Sequence, residues 1–361
     1  MISPRRVCSR PIRYLVALLC AICLTGFMVS TVRAADGPIH LKIVGGLAAV
    51  SQYTKYEAPF WLRDVPRLTD GRVVADIHPF DQSGLSGQEA LQLMRLGVVP
   101  FGTALLAVVA GDEPELNAVD LPLLNPDMAS LRLTVGRYRA HLRQLLQRKY
   151  GIRLLGIYAY PAQVLFCATL FESPRDLAGR KVRTSSVGQS EMMRALGAIP
   201  VQIPFPDVVN AIRNHVADCA ITGTKSGNEI GLAEVTSYIY PMAISWGLSF
   251  FGANEAAWDE LPPDISATLE AGIRSLEQDI WDAADRETAN GLACDIGSPS
   301  CVDGKRFHMN LVPVTSEDDA LRSRLLSGTI LPRWLRRCGA DCVTAWNDAM
   351  GDALAAQASA E

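Results

Sequence analysis

The sequence predicts a two-domain α/β protein, on three observations. A chain of 361 residues, 49% of them hydrophobic, can bury more core than one domain needs. Short β-branched runs alternate with stretches of helical spacing, and the alternation starts afresh after residue 150. Near the C-terminal side one helical stretch, "LPPDISATLEAGIRSLEQDIWDAADRETANG", is long enough at about 1.5 Å per residue to reach across more than one domain.

The first 34 residues stand apart from this pattern. Arg5, Arg6, Arg10 and Arg13 precede an uncharged apolar run from Tyr14 to Val32, which ends in Val32-Arg33-Ala34. Basic residues, an apolar stretch and a small-residue site describe a cleaved secretory signal. An uncleaved anchor is the alternative, because the run is nearly long enough to span a bilayer.

"LKIVGG" (Leu41 to Gly46) is then a short strand closed by glycine. "YTKYEAPFWLRDVPRLTDG" reads as an amphipathic helix ending near Gly71, disturbed by Pro59 and Pro66. "RVVADIHPF" is a second strand, and "SGQEALQLMRLG" a helix with Ser86 as N-cap and Gly97 as its stop. "VVPFGTALLAVVAG" is a buried strand or a short helix. In the second half "IRLLGIYAY", "VLFCATLF", "RKVRTSS" and "VADCAITG" are strands; "SEMMRALG" and "FPDVVNAIRN" are helices. The long helix starts at Pro262-Pro263 and is predicted to stop at Gly291. The end, "GDALAAQASAE", reads as a fraying tail.

Charge and cysteines narrow the class. The leader holds five arginines and no acids, so its removal takes the formal charge from −4 to −9. So acidic a chain is a poor match for nucleic acid or an anionic membrane surface, and any anion it binds must meet a few placed cations. Cys8, Cys20 and Cys23 leave with the leader; six cysteines remain. Cys294 with Cys301, and Cys338 with Cys342, form local pairs that read as disulfides in an exported protein. Zinc is the sharper alternative, but the histidines at 40, 78, 141, 215 and 308 are too scattered for ligand spacing. Cys167 and Cys219 lie in apolar strands and are expected as buried thiols, with a bridge between them left open.

Enzyme motifs are missing. There is no dinucleotide fingerprint, no phosphate loop and no G-x-S-x-G elbow. "KSG" at Lys225 to Gly227 is too short to carry a function. No cofactor is implied. One residue does stand out. Arg183 ends a strand that reads as buried, and no acidic residue lies within six positions on either side. A guanidinium so placed points to a carboxylate arriving from outside.

The surrounding residues carry a resemblance. Asp176, Leu177, Gly179, Lys181 and Arg183, followed by "ALGAIPVQIPFPDVVNAI" and "VADCAITG", resemble the signature region of the extracytoplasmic solute-binding proteins of tripartite ATP-independent periplasmic (TRAP) transporters. "GQEALQLMRLGVVPFGT" and "VDLPLL" are similar to that family's first-domain segments. "NEAAWDELPPDISATLEAGI" and "LPRWLRRCGADCVTAWNDAMG" are similar to its later ones, so the resemblance covers most of the chain beyond the leader. It implies a periplasmic, two-domain clamp of the periplasmic-binding-protein kind, with a mixed sheet in each domain, crossover strands and a long helix spanning both. The implied task is to capture an organic acid and hand it to a membrane permease. Domain I is expected at 36–160 plus about 248–287, domain II at 161–247 plus about 288–361, in a monomer.

In the resembled family Arg183 matches the main carboxylate-binding arginine and Phe205 an aromatic lining the cleft. Many members carry a second arginine where Gln163 stands here, and an asparagine where Thr222 stands. Both replacements remove charge yet still donate hydrogen bonds, which favours a monocarboxylate, a keto or hydroxy acid, or a ligand with a neutral polar end. Tyr53, Gln82, Gln189 and Trp246 are further lining candidates. Two other classes share part of this pattern: an exported α/β enzyme acting on a small carboxylate, and a ligand-sensing module.

Overall fold

Two mixed sheets form the frame of the computed structural model, which describes residues 37–85 and 87–359. The predicted leader and the predicted N-cap Ser86 lie outside the described residues. The first sheet has the order β2-β1-β3-β10-β4, with β1 Ile39–Gly45, β2 Val73–Pro79, β3 Phe101–Leu105, β4 Ile152–Tyr158 and β10 Ser249–Asn254. There β1 runs parallel to β2 and β3, while β10 is antiparallel to β3 and β4. The second sheet has the order β11-β9-β5-β8-β6-β7. It is built from β5 Gln163–Cys167, β6 Lys181–Thr184, β7 Ile199–Gln202, β8 Cys219–Gly223, β9 Tyr238–Ser245 and β11 Asn310–Leu311. Here β6 lies parallel to β7 and β8, and β5 is antiparallel to β8 and β9. We call each sheet with the helices packed on it a lobe. The chain crosses between lobes after β4, through residues 159–162, and again after β9, through residues 246–248.

The long helix, Pro263–Asp295, joins the layers from outside. Its first half buries Ile265, Leu269, Ile273, Leu276 and Ile280 against the apolar face of the first sheet. Its last turns bring Leu292 to the core under the second sheet. It does not stop at Gly291. That glycine has helical backbone, and its missing side chain lets the helix touch Thr224 and Lys225: a Cβ there would lie 2.3 Å from the Lys225 nitrogen. The glycine serves a close approach between helices, so it leaves the helix running for another turn.

Other elements also depart from the sequence expectation. Residues 51–68 are helical throughout, and the prolines are absorbed by wide turns in which Ala58 N–H reaches Tyr53 and Val65 N–H reaches Phe60, five residues back. "VVPFGTALLAVVAG" supplies β3 and the short helix Leu106–Val109 in succession. The helix Met128–Tyr150 is not among the elements predicted above. It is capped by Asp127, which accepts from Ser130 N–H, and closed by Gly151 at φ 60°. The expected tail is the end of the helix Ala340–Ser359, whose Trp346 packs on Trp334 and Tyr138. Among the described residues no helix is long and apolar enough to cross a membrane.

All six cysteines beyond the leader are paired, as Cys294–Cys301, Cys338–Cys342 and Cys167–Cys219. The third pair replaces the expected buried thiols. Cys167 and Cys219 face each other across the antiparallel β5–β8 ladder, with Cα atoms 4.1 Å apart, so the register itself brings the sulfurs together. Closing a loop of 52 residues is worth about 4 kcal/mol in the chain-entropy model. Titration of free thiols in the protein processed after Ala34, denatured without reductant, is expected to find none, and to find six after reduction. Two reactive thiols before reduction would remove the cross-strand bond.

Candidate functional site

The carboxyl ends of the parallel strands in both sheets meet at one place between the lobes. Parallel α/β sheets build sites at this edge because the loops leaving the strands diverge there. Arg183 lies near the end of β6, 4% exposed. Its Nε donates to the carbonyl of Ile203, beyond β7, at 2.9 Å, and its Nη1 to the carbonyl of Ile221, in β8, at 2.7 Å. Two neighbouring backbones therefore fix the plane of the guanidinium. No aspartate or glutamate pairs with it among the described residues, and Nη2 has no protein partner there. Burial lowers its pKa to about 10, which still leaves it charged at neutral pH.

The arginine borders a cavity of about 50 Å³, taken as the space open to the centre of a water molecule. At roughly 10–15 Å³ per water on that measure, it holds about four waters or one small molecule. Gln163, Thr222 and Phe205 line it from the second lobe, together with Ser185. Leu47 and Leu105 cover it from the first lobe, and Tyr160 and Gly247 come from the two crossings. Thr222 follows Ile221 near the end of β8. Gln163 opens the antiparallel β5 and pairs with Gly223, so it reaches the same edge from the opposite direction.

The other four sequence candidates do not line this cavity. Tyr53 turns its hydroxyl to the carbonyl of Ile77 at 3.4 Å, and its ring covers Gly45. Gln82 is exposed on a single turn after β2. Trp246 is buried with its indole N–H on the carbonyl of Asn125 at 3.0 Å. Gln189 is buried one layer behind, where its Nε2 donates to Gln163 Oε1 at 2.7 Å.

Two buried acids hold the walls. Asp120 accepts from the backbone N–H groups of Trp246 and Gly247 at 2.8 and 2.7 Å, clasping the second crossing where it borders the cavity. Glu57 accepts from Gly46 N–H at 2.7 Å and Thr103 Oγ1 at 2.5 Å, fixing the segment that carries Leu47. Burial raises each carboxyl to about 7, outweighing the bonds it accepts. Beside the cavity a polar cluster ties the lobes together. Lys55 pairs with Asp303 at 2.5 Å, Ser51 N–H donates to Glu229 at 3.1 Å, and Ser51 Oγ donates to Glu287 at 2.6 Å.

A larger groove of about 770 Å³ lies between the helix Met128–Tyr150 and the long helix. It has several arginines, but Arg139 is forked onto Glu277, Arg153 meets Glu255 at 3.0 Å and Arg132 meets Asp282 at 2.6 Å. Its charge is largely spent within the protein, whereas that of Arg183 is not.

The family model of bacterial extracellular solute-binding proteins, family 7, matches residues 45–293. The chain belongs to this family. It is therefore an extracytoplasmic solute receptor of the TRAP type and not an enzyme. The C4-dicarboxylate-binding periplasmic protein DctP of Rhodobacter capsulatus is 27% identical to it over 289 residues, which cover 78% of this chain and 81% of the relative. A solved extracytoplasmic solute receptor of Bordetella pertussis, binding pyroglutamic acid, matches at a TM-score of 0.73 and 21% identity over 85% of this chain and 98% of its own. A TRAP periplasmic solute-binding protein of Shewanella oneidensis with bound succinate gives 0.72 and 20%, over 87% and 99%. At such identities the solved receptors share the fold with this one.

Proposed function

We propose that this receptor captures a small organic acid in the cavity between its lobes, with Arg183 binding the carboxylate, and delivers it to the permease subunits of a TRAP transporter. The observation that carries the reading is a buried, charged guanidinium, held by two carbonyls, that has no internal counter-ion among the described residues and faces a cavity. A planar fork with one end free suits a carboxylate, which accepts parallel N–H bonds. That relatives bind pyroglutamate and succinate agrees with an acid as ligand. Among the described residues Arg183 is the one cation bordering the cavity, which favours one carboxylate over two, and the cavity's volume favours a small molecule.

The division into domains proposed for this clamp is 36–160 with about 248–287, and 161–247 with about 288–361, the crossings serving as hinges. Ligand then stabilises the closed arrangement through contacts to both lobes. A thermal-shift screen against an organic-acid library is expected to find a monocarboxylate that raises the melting temperature, since binding to the native state alone stabilises it. Solution scattering at saturating hit is expected to show a smaller radius of gyration than the ligand-stripped receptor. Acids that bind without compaction would remove the hinge, and a library without a hit would remove the acid.

A further inference from the structure

The orientation of one amide follows from a backbone N–H. Ser185 N–H donates to the side-chain oxygen of Gln189 at 2.8 Å, and a backbone nitrogen can only donate. The amide of Gln189 therefore cannot be turned the other way. Its Nε2 is left to donate, to Gln163 Oε1 at 2.7 Å and to Ser245 Oγ at 2.8 Å. Ser245 Oγ, having accepted, donates in turn to Gln163 Oε1 at 2.8 Å. The oxygen of Gln163 thus takes two hydrogen bonds from behind, and its NH2 group is turned forward. That nitrogen has no protein partner among the described residues. It stands beside Gly247, which also borders the cavity, where a Cβ would lie 2.5 Å from it.

We propose that Gln163 is a specificity-determining residue that offers the ligand a hydrogen-bond donor and no acceptor. Resting on the reading of Arg183 as the carboxylate site, this assigns the ligand to acids that carry a second, uncharged acceptor oxygen: oxo, hydroxy or cyclic-amide acids. It disfavours α-amino acids. An ammonium group would meet a guanidinium and an amide NH2, and no aspartate or glutamate lines the cavity among the described residues. An acid lacking the acceptor would leave the NH2 of Gln163 desolvated and unpaired. Gln189 is a positioning residue here, acting through Gln163.

Calorimetry on the ligand-stripped receptor tests this with pentanoate, 2-oxopentanoate, 4-oxopentanoate, 5-oxoproline and norvaline. At least one oxo compound is expected to bind about tenfold or more tighter than pentanoate, with norvaline weakest. In Gln163→Glu, which keeps the acceptor facing Gln189 and replaces the forward NH2 by oxygen, the affinity ratio of oxo acid to norvaline is expected to fall at least about tenfold. Gln189→Glu keeps the bond from Ser185 but cannot donate to Gln163, so the Gln163 amide is free to turn and the same ratio is expected to fall. Acids that bind in an Arg183-dependent way with equal affinity for pentanoate and the oxo acids, or with a preference for norvaline, would overturn the role of Gln163 alone. Binding that ignores Arg183→Ala, or no binding of any probe, would overturn the carboxylate reading beneath it.

Discussion

Arg183→Ala is expected to abolish tight binding of the carboxylate ligand. A carboxylate brought into the closed cavity gives up its water and recovers the cost through the guanidinium. Without that partner it is a buried, uncompensated charge, at about 3–5 kcal/mol, or roughly two to three and a half decades in affinity. Arg183→Lys keeps the charge and is expected to lose most of the affinity as well, because an ammonium cannot hold the carbonyls of Ile203 and Ile221 and still present a planar fork. The alanine variant also leaves those carbonyls without their donors, so its folded state must be verified by circular dichroism and its melting curve before titration. A folded Arg183→Ala receptor that binds within a few-fold of the parent would end the assignment.

The clue to Arg183 was local, and locality explains how much of the site was legible. A strand-ending arginine with no acid nearby can be seen in thirteen residues, and the hydrogen bonds among the described residues leave it with the same lack of a counter-ion. Gln163 and Thr222, which the family resemblance points to, also border the cavity, at the ends of two neighbouring antiparallel strands. The relay behind Gln163 was not legible. It joins Gln163, Ser185, Gln189 and Ser245, on segments that become neighbours only when β5 pairs with β9 and the helix after β6 packs across them. Trp246 and Tyr53 lie outside this cavity for a related reason: an amphipathic aromatic after a strand serves a cleft or a core equally well, and here both hydrogen-bond to backbone carbonyls. The helix Met128–Tyr150 is a different case. Leu131, Val135, Tyr138, Leu142 and Leu146 carry the 3.6-residue spacing of a buried stripe, so the signal exists, set among many basic residues.

The two buried acids show where function and stability share residues. Asp120 spends its oxygens on the crossing at residues 246–248, proposed above as a hinge, and Glu57 spends its own on the segment leading to Leu47. Neither faces the cavity. Each sets the position of a wall that does, which a search for lining residues in sequence does not detect.

Gly291→Ala is the sharper test of the frame, because two readings of this glycine differ in sign. In a helix interior alanine is favoured over glycine by about 1 kcal/mol, so a glycine without a packing role would yield a more stable variant. The structure dictates the opposite. The new methyl would sit 2.3 Å from Lys225 N, 2.6 Å from the carbonyl carbon of Thr224 and 2.7 Å from Lys225 Cα, all backbone atoms that no rotamer change can clear. Thr224 is held to the long helix by its hydroxyl on the Thr288 carbonyl at 2.9 Å, and Ala162 N–H donates to Thr288 Oγ1 at 2.9 Å, so the first crossing is pinned at the same contact. Overpacking here is expected to cost about 3 kcal/mol net, lowering the melting temperature by several degrees. The strain falls on the residues directly after β8, so Thr222 and Ser226 shift with it and ligand affinity drops in the same variant. Denaturant unfolding checks the sign. A Gly291→Ala protein as stable as the parent or more so would mean that the long helix does not press on the start of the helix after β8, and the cavity would lose the support that sets its floor.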